Sequence, residues 1–96
     1  MTHYIALIHK DRDGCYGVSF PDVPGVITAG DTLDEALREA GVVLAFAAEG
    51  WPGDTGAAFP QPRSLEALRS DPEFVAASAD AVVAAVPLKQ EVEEAV

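Results

Sequence analysis

Short apolar stretches separated by turn residues dominate the first part of the chain. Residues from Tyr4 to Lys10 are largely apolar, and the segment from Asp11 to Gly14 that follows them favours a tight turn. From Cys15 to Phe20, side chains alternate with the period of two that is typical of a half-buried strand. The pattern predicts two antiparallel strands joined by a tight turn. The side chains predicted to face the core from the second strand are Tyr16, Val18 and Phe20.

A proline-rich turn and a third strand come next. Pro21 lacks the N–H group that pairing in a sheet requires, and Pro24 followed by Gly25 favours a reversal of the chain. The short segment from Val26 to Ala29 then predicts a third strand, which ends at Gly30. The first part of the chain is therefore expected to form a three-stranded antiparallel meander.

A capping box marks the start of a long helix. The Thr32 side chain can accept the N–H of Glu35, and Glu35 can reach back to the N–H of Thr32, so a helix is predicted from Leu33. Gly50, which a proline follows two residues later, predicts that this helix ends near Glu49. Apolar residues recur at the spacing of a core-facing helix surface: Leu33, Ala36, Leu37, Ala40, Leu44 and Ala47.

The second half of this helix is apolar on nearly every side. Val42 and Ala45 fall on the face opposite the core-facing residues. Because large exposed apolar surfaces usually mark contact sites, we expect either the connecting segments or a second subunit to cover this face. The sequence therefore leaves a homodimer or a higher homo-oligomer as one predicted assembly.

The remainder of the chain predicts short helices and one more strand. Trp51 to Arg63 is rich in Gly and Pro and is expected to be an irregular loop. Ser64 can cap a short helix from Leu65 to Arg69, and Asp71 can cap another that begins with a proline. The apolar and partly β-branched segment from Ala81 to Val86 predicts a fourth strand, which joins the sheet after a long crossover.

The predicted order of elements is β-β-β-α-β, which defines an α+β fold. Ninety-six residues suffice for one hydrophobic core, so residues 1–88 are expected to form a single domain. Residues 89–96 are expected to be a short polar tail without a DNA-binding domain.

Charge and composition exclude several classes of protein. Sixteen Asp and Glu residues against six Lys and Arg give a formal charge of −10, which argues against nucleic-acid phosphates as ligands and is compatible with a basic protein partner or with solubility alone. No segment approaches the ~18 consecutive apolar residues of a membrane span, and the N-terminus lacks the pattern of a signal peptide. A cytoplasmic protein without membrane association is therefore expected. Cys15, the one cysteine, is expected to act as a small apolar residue.

A signature extends from the second strand through the start of the helix to the later prolines. Its positions are Tyr16, Val18, Phe20, Pro21, Asp22, Pro24, Gly25, Thr28, Gly30, Asp31, Thr32, Glu35, Ala36, Ala40, Pro60 and Pro62. This signature resembles that of the HicB family of antitoxins over about residues 4 to 88. The resemblance implies a partial ribonuclease-H-like fold that stops short of the complete nuclease. It also implies a protein partner, HicA, a small basic ribonuclease that cleaves messenger RNA and that the antitoxin masks.

An acidic surface suits such a basic partner, because complementary charge speeds association. The candidate toxin contacts are the carboxylates around the helix start, Asp31, Asp34 and Glu39, although solvated surface carboxylates without a partner are the alternative. HicB proteins usually continue into an operator-binding segment, whereas only eight residues follow Leu88, so no direct operator binding is expected from this chain. An orphan HicB-like domain with a different protein partner is a further alternative.

An enzymatic function is the other possibility that the implied fold raises. Two-metal nucleases need several carboxylates that converge on ions about 3.5–4 Å apart. In the predicted meander Asp11, Asp13 and Asp31 fall near one end of the sheet and Asp22 falls near the other, so they cannot share a metal pair. The sequence therefore predicts no catalytic residues, no metal site and no cofactor. RNA binding by the sheet is also not expected, because the aromatic residues are predicted to face the core and lack basic neighbours.

Overall fold

A computed structural model of the protein describes residues 2–56 and 58–89. Apart from Lys89, the predicted polar tail lies outside these residues. The described part of the chain contains, in order, β1 (His3–Lys10), β2 (Tyr16–Ser19), β3 (Ile27–Gly30), α1 (Leu33–Thr55), α2 (Leu65–Arg69), α3 (Pro72–Ser78) and β4 (Val82–Pro87). Each predicted strand is present, with bounds that differ by one residue or so from the prediction.

The four strands form one antiparallel sheet in the order β3-β2-β1-β4. On one side of β1, Leu7 lies opposite Ser19 of β2. On the other side, Tyr4 lies opposite Val86 of β4. The predicted α+β class and meander are therefore confirmed, and the structure adds that the fourth strand pairs with the first, at the edge remote from β3.

The turn between β1 and β2 follows the expected chemistry. Gly14 has a φ of +95°, in the left-handed region that favours glycine. Its N–H donates to the carbonyl of Asp11 at 3.1 Å, and the N–H of Asp11 donates to the carbonyl of Cys15 at 2.7 Å. These bonds reverse the chain tightly and place the acidic turn at the end of the sheet.

Helix α1 covers one face of the sheet and buries the main core. Ala36, Ala40 and Leu44 are fully buried at four-residue intervals, within the helical spacing that the sequence pattern predicted. Alternate residues of the strands complete this core, because side chains two apart on a strand share a face. The buried sheet and loop residues in it are Tyr4, Ala6, Ile8, Val18, Phe20, Val23, Val26 and Val86.

Helices α2 and α3 cover the opposite face of β1. Leu68 and Phe74 are buried there against Leu7. Both caps form as predicted: the Ser64 side chain accepts the N–H of Ala67, and the side chain of the residue before Pro72 caps α3. The fold thus has three layers, with α1, the sheet and the α2–α3 pair stacked on one another.

The predicted end of the long helix is wrong. Helix α1 passes through Gly50 and the proline after it and continues to Thr55, so it also takes the first five residues of the predicted loop. Tertiary packing explains this, since Trp51 lies against Phe59 with ring centroids 5.3 Å apart, and packing can outweigh the weak helix propensity of glycine and proline. Gly56, with a φ of +75°, supplies the left-handed residue that commonly follows a helix end.

Candidate functional site

The turn after β2 carries the central part of the family signature. Phe20 is buried in the core, and its carbonyl accepts the N–H of Val23 at 3.1 Å. The N–H of Val26 in turn donates to the carbonyl of Val23 at 3.2 Å, with Gly25 in the left-handed region at φ +93°. The signature residues here therefore shape a compact turn.

Asp22 in this turn holds a distant segment of the chain. Its Oδ1 accepts the Nε of Arg63 at 2.6 Å, and its Oδ2 accepts the backbone N–H of Arg63 at 2.7 Å. The Asp22 side chain is only 7% exposed. Nothing in the local pattern around Arg63 indicated this pairing, because the two residues lie 41 positions apart.

Arg63 also binds Asp71, the N-cap residue of α3. Its Nη1 donates to Oδ2 of Asp71 at 3.1 Å. This bond, together with the N–H of Glu73, holds the pKa of the Asp71 carboxyl below its ordinary value. The two carboxylates raise the pKa of Arg63, first through the bond to Asp22. Arg63 therefore links the turn after β2 to the start of α3.

Pro60, one of the later prolines of the signature, lies beside β1. The Tyr4 hydroxyl donates to the carbonyl of Pro60 at 2.6 Å, and the Tyr4 ring lies 5.5 Å from that of Phe59. Burial, and secondarily the charge of Asp22, raises the pKa of Tyr4. These contacts fix the segment after α1 against the sheet.

Gly30 and Thr32 join β3 to α1. A Cβ atom at Gly30 would lie 2.5 Å from the backbone N of Ala36, so only glycine allows the helix to approach this closely. The Thr32 Oγ1 accepts the N–H of Glu35 at 3.0 Å, as predicted. The return bond differs from the prediction, because Oε1 of Glu35 accepts the N–H of Asp31, at 2.7 Å, one residue earlier than the expected Thr32. At the start of the helix, the backbone N–H of Asp31 therefore faces the carboxylate of Glu35.

Most of the signature residues therefore have structural roles in this fold. Tyr16 is half-buried against the core, with the Nζ of Lys10 5.7 Å from its ring centroid. Two of the proline positions are at least partly exposed, Pro21 and Pro24. These contacts show how the signature residues shape the fold.

The carboxylates near the start of α1 form an acidic surface, which we call the acidic end and define as Asp11, Asp13, Asp31 and Asp34. All four residues are exposed. Cys15 connects two of them, since its N–H donates to Oδ1 of Asp13 at 3.3 Å and its Sγ donates to Oδ1 of Asp31 at 3.7 Å. The charge of Asp13 is the largest cause of the raised pKa of Cys15. The prediction that the β1–β2 turn and Asp31 lie near the same end of the sheet is therefore confirmed.

The three candidate toxin contacts do not form a single patch. Asp31 and Asp34 are exposed, whereas Glu39 is half-buried. Asp34 and Glu39 are five residues apart on α1, so they point about 140° away from each other around the helix axis. Asp31 and Asp34 belong to the acidic end, and Glu39 lies beside it on another face of the helix.

Two carboxylates of the signature, Asp22 and Asp31, lie at opposite ends of the sheet. Among residues 2–56 and 58–89, no group of three or more His, Cys, Asp or Glu side chains is arranged to hold a metal ion. The register places Tyr16 opposite Gly30 at one end of the β2–β3 pair and Ser19 opposite Ile27 at the other. Asp22 follows the second of these ends, where it is bonded to Arg63 and remote from Asp31.

An open groove lies between α1 and the edge strand β4. It has a volume of about 690 Å³, and we call it the apolar groove. Its lining residues are Leu37, Arg38, Gly41, Val42, Ala45, Phe46, Glu49, Ala85, Val86, Pro87 and Lys89. Val42 is 58% exposed and Phe46 is 77% exposed, so the described connecting segments do not cover this face of α1. The sequence pattern had drawn attention to Val42 and Ala45 but had missed Phe46.

Comparison with known families shows which class of protein has this fold and these signature residues. Residues 4–95 match the family described as HicB-like antitoxin of bacterial toxin-antitoxin systems, and the chain belongs to that family. An uncharacterised 14.9 kDa protein from the rep-hol intergenic region of Haemophilus phage HP1 is 41% identical over 71 residues. That alignment covers 74% of this chain and 52% of the phage protein, so the chain spans about half the length of that relative. No helix in the described residues is long and apolar enough to cross a membrane.

Solved structures share the fold. The antitoxin HicB of Burkholderia pseudomallei aligns with a TM-score of 0.72 and 29% identity over 93% of this chain and 64% of that chain. The separate N-terminal domain of the same antitoxin aligns with a TM-score of 0.72 over 92% of this chain and 99% of that one. A chain from a HicA3 and HicB3 toxin-antitoxin complex has a TM-score of 0.70 at 22% identity, which shows the fold alone.

Proposed function

We propose that this chain is an antitoxin that binds a small basic ribonuclease of the HicA type and blocks access to its RNA-cleaving surface. Membership of the HicB-like antitoxin family carries this proposal. The description of that family as part of bacterial toxin-antitoxin systems supports a toxin as the partner. The chain acts in this proposal by occupying a surface of the toxin, and it needs no catalytic group, metal or cofactor of its own.

The charge of the chain suits a partner that binds RNA. A formal charge of −10 on 96 residues attracts a basic protein over long distances and repels nucleic acid. A toxin that binds RNA phosphates must present a basic surface, and an acidic antitoxin can compete for that surface. The same charge disfavours direct operator binding by residues 1–88.

The acidic end is the proposed point of contact with the toxin. Asp31 and Asp34 are exposed there, and Glu39 lies at its margin. Asp31 is held in position by the Sγ of Cys15 and through the backbone bond to Glu35, so less conformational freedom is lost when a partner binds. Charged groups at the rim of an interface act mainly on the association rate, and their effect weakens as salt is added.

The test is to mix the chain with the basic ribonuclease encoded next to it in the source genome. Size-exclusion chromatography at low salt should show a complex, and RNA cleavage by the ribonuclease should fall as the chain is added. The absence of a complex at low salt would contradict the proposal and leave the orphan alternative, a HicB-like domain with another protein partner. Divalent-metal-dependent RNA cleavage by this chain alone would instead support a nuclease.

Charge-matched variants locate the contact. Asp34→Asn with Glu39→Gln removes one negative charge of the acidic end and one at its margin, and should slow association. The control variant combines Glu66→Gln with Glu73→Gln on the exposed surfaces of α2 and α3, where the same net charge is lost on the far side of the sheet. Equal effects of both variants on the association rate would show that only overall charge matters, and would exclude the acidic end as a specific contact.

A further inference from the structure

The sheet has two edges, and β3 forms the one beside the acidic end. No described strand lies beyond β3 in the order β3-β2-β1-β4. An edge strand presents N–H and C=O groups that can pair with a strand of another protein. We propose that the basic toxin binds by adding a strand to β3, with cationic side chains of the toxin against the acidic end. This inference rests on the proposed function and deepens it, because it names the contact that holds the toxin.

The hydrogen bonds of the first hairpin show how the strands face one another. In an antiparallel pair, opposite residues alternate between pairs that exchange hydrogen bonds and pairs that do not. The N–H of Asp11 donates to the carbonyl of Cys15, so Cys15 and every second residue after it direct their backbone groups towards β1. Tyr16 and Val18 alternate with these residues and therefore bond towards β3.

Two residues of β3 consequently direct their backbone groups away from the sheet. Thr28 and Gly30 lie opposite Val18 and Tyr16 and bond to them, so Ile27 and Ala29 face outward. These two residues offer two donors and two acceptors to an added strand. Their side chains are exposed on the face remote from α1, and Ile27 is 68% exposed. Side chains of an added strand can cover Ile27, because neighbours on paired strands pack together.

The other edge of the sheet is less suited to an added strand. The N–H of Leu88 donates to the carbonyl of Thr2 at 2.8 Å. By the same alternation, the outward-facing residues of β4 are Val83, Ala85 and Pro87. Proline has no N–H to donate and commonly protects a sheet edge from pairing. Strand β3 contains neither a proline nor a charged residue.

Charge also favours the β3 edge for a basic partner. Asp31 follows directly after the last residue of β3, and its Oδ1 accepts the Sγ of Cys15 beside the β1–β2 turn. The N–H of Cys15 donates to Asp13 of that turn. The four carboxylates of the acidic end outnumber the two cations nearest to the turn, Lys10 and Arg12. A strand added to β3 therefore runs past a surface with an excess of negative charge.

The surroundings of β4 have the opposite balance. The apolar groove beside β4 is lined by two cations, Arg38 and Lys89, and by one carboxylate, Glu49. A basic protein therefore meets the more favourable field at the β3 edge. A second copy of this chain carries the same formal charge of −10, so its approach to the acidic end is disfavoured.

A matched pair of proline variants tests which edge binds the toxin. Ala29→Pro removes an outward-facing N–H from β3, and Ala85→Pro makes the same change on β4. Both alanines are exposed, and an edge strand tolerates proline where the N–H faces solvent, so circular dichroism should stay unchanged. Ala29→Pro should raise the dissociation rate of the complex with the basic ribonuclease by about tenfold. Ala85→Pro should leave that rate unchanged.

Amide hydrogen exchange tests the same contact without a substitution, and decides the question if a proline variant fails to fold. In the chain alone, the outward-facing N–H groups of Ile27 and Ala29 should exchange rapidly. Both should be protected in the complex with the basic ribonuclease. Val83 and Ala85 on β4 are the internal control, and their exchange rates should be the same with and without the toxin.

Two results would overturn this inference and leave the proposed function standing. One is a complex in which the amides of Ile27 and Ala29 still exchange at the rates of the free chain. The other is a complex that Ala85→Pro weakens and Ala29→Pro does not, which would move the contact to β4. Protection of Ile27 and Ala29 in the chain without toxin would assign the edge to a second copy. The absence of any complex at low salt would contradict the proposed function itself, and this inference with it.

Discussion

The carboxylate of Asp22 accepts both the backbone N–H and the side-chain Nε of Arg63, at 2.7 and 2.6 Å, across 41 residues of sequence. Asp22 lies in the turn after β2, and Arg63 immediately precedes the cap of α2. The bond therefore ties the meander to the layer of short helices on the far face of the sheet. Asp22, a residue of the family signature, therefore has a structural role in linking these two parts of the fold.

Substitution of Asp22 should lower the stability of the whole domain. Asp22→Asn removes the charge and replaces one of the two acceptor oxygens by an NH2 group, so one of the two N–H groups of Arg63 loses its partner. The midpoint of thermal unfolding should fall by several degrees, as circular dichroism can measure. Asp80→Asn is the control, because that side chain is 90% exposed, and it should change the midpoint little. Equal shifts for both variants would show that the Asp22 bond contributes nothing specific.

Local pattern was enough to predict the elements of this fold. The alternation of apolar and polar side chains predicted β2, and the capping residues predicted the starts of α1, α2 and α3. The apolar segment before Pro87 predicted β4. Each of these depends on residues within a few positions of one another. The class of fold followed from their order.

Long-range contacts were beyond the reach of the same pattern. The end of α1 was wrong because Trp51 packs on Phe59, and tertiary packing overrode the signals from glycine and proline. The Asp22–Arg63 bond and the bond from Tyr4 to Pro60 were missed for the same reason. At the candidate site, the acidic end could be predicted because its residues lie in turns and in the first turn of α1, whereas the exposure of Phe46 depended on what the rest of the chain leaves uncovered.

Gly30 should not tolerate a side chain. Gly30→Ala would place a Cβ 2.5 Å from the backbone N of Ala36, so the start of α1 must shift away from β3. Such overpacking typically costs about 1–3 kcal/mol. Urea unfolding should show this loss. Gly53→Ala is the matched control, because its Cβ would meet nothing within 4 Å and alanine favours the helix, so the free energy of unfolding should rise or stay equal.

The cap of α1 should make a measurable contribution to stability. Thr32→Ala removes the acceptor for the N–H of Glu35 and should lower the free energy of unfolding by about 1 kcal/mol. Thr32→Ser keeps a hydroxyl and should recover most of the loss. Urea unfolding of the three proteins provides the measurement. A Thr32→Ala protein as stable as the parent would show that water replaces the cap without cost.

The bond between Arg63 and Asp71 should make part of the stability depend on pH. Arg63 and the N–H of Glu73 lower the pKa of the folded Asp71 carboxyl, so this contribution is fully present above the ordinary carboxyl pKa and is lost as the pH falls through the lowered value. Asp71→Asn keeps a good helix cap but cannot ionise. The free energy of unfolding of the parent should therefore exceed that of Asp71→Asn at pH 7, and the difference should shrink steadily as the solution is acidified. A difference that is constant from neutral to acidic pH would show that the ionised carboxylate of Asp71 is no better bonded in the folded chain than in the unfolded one.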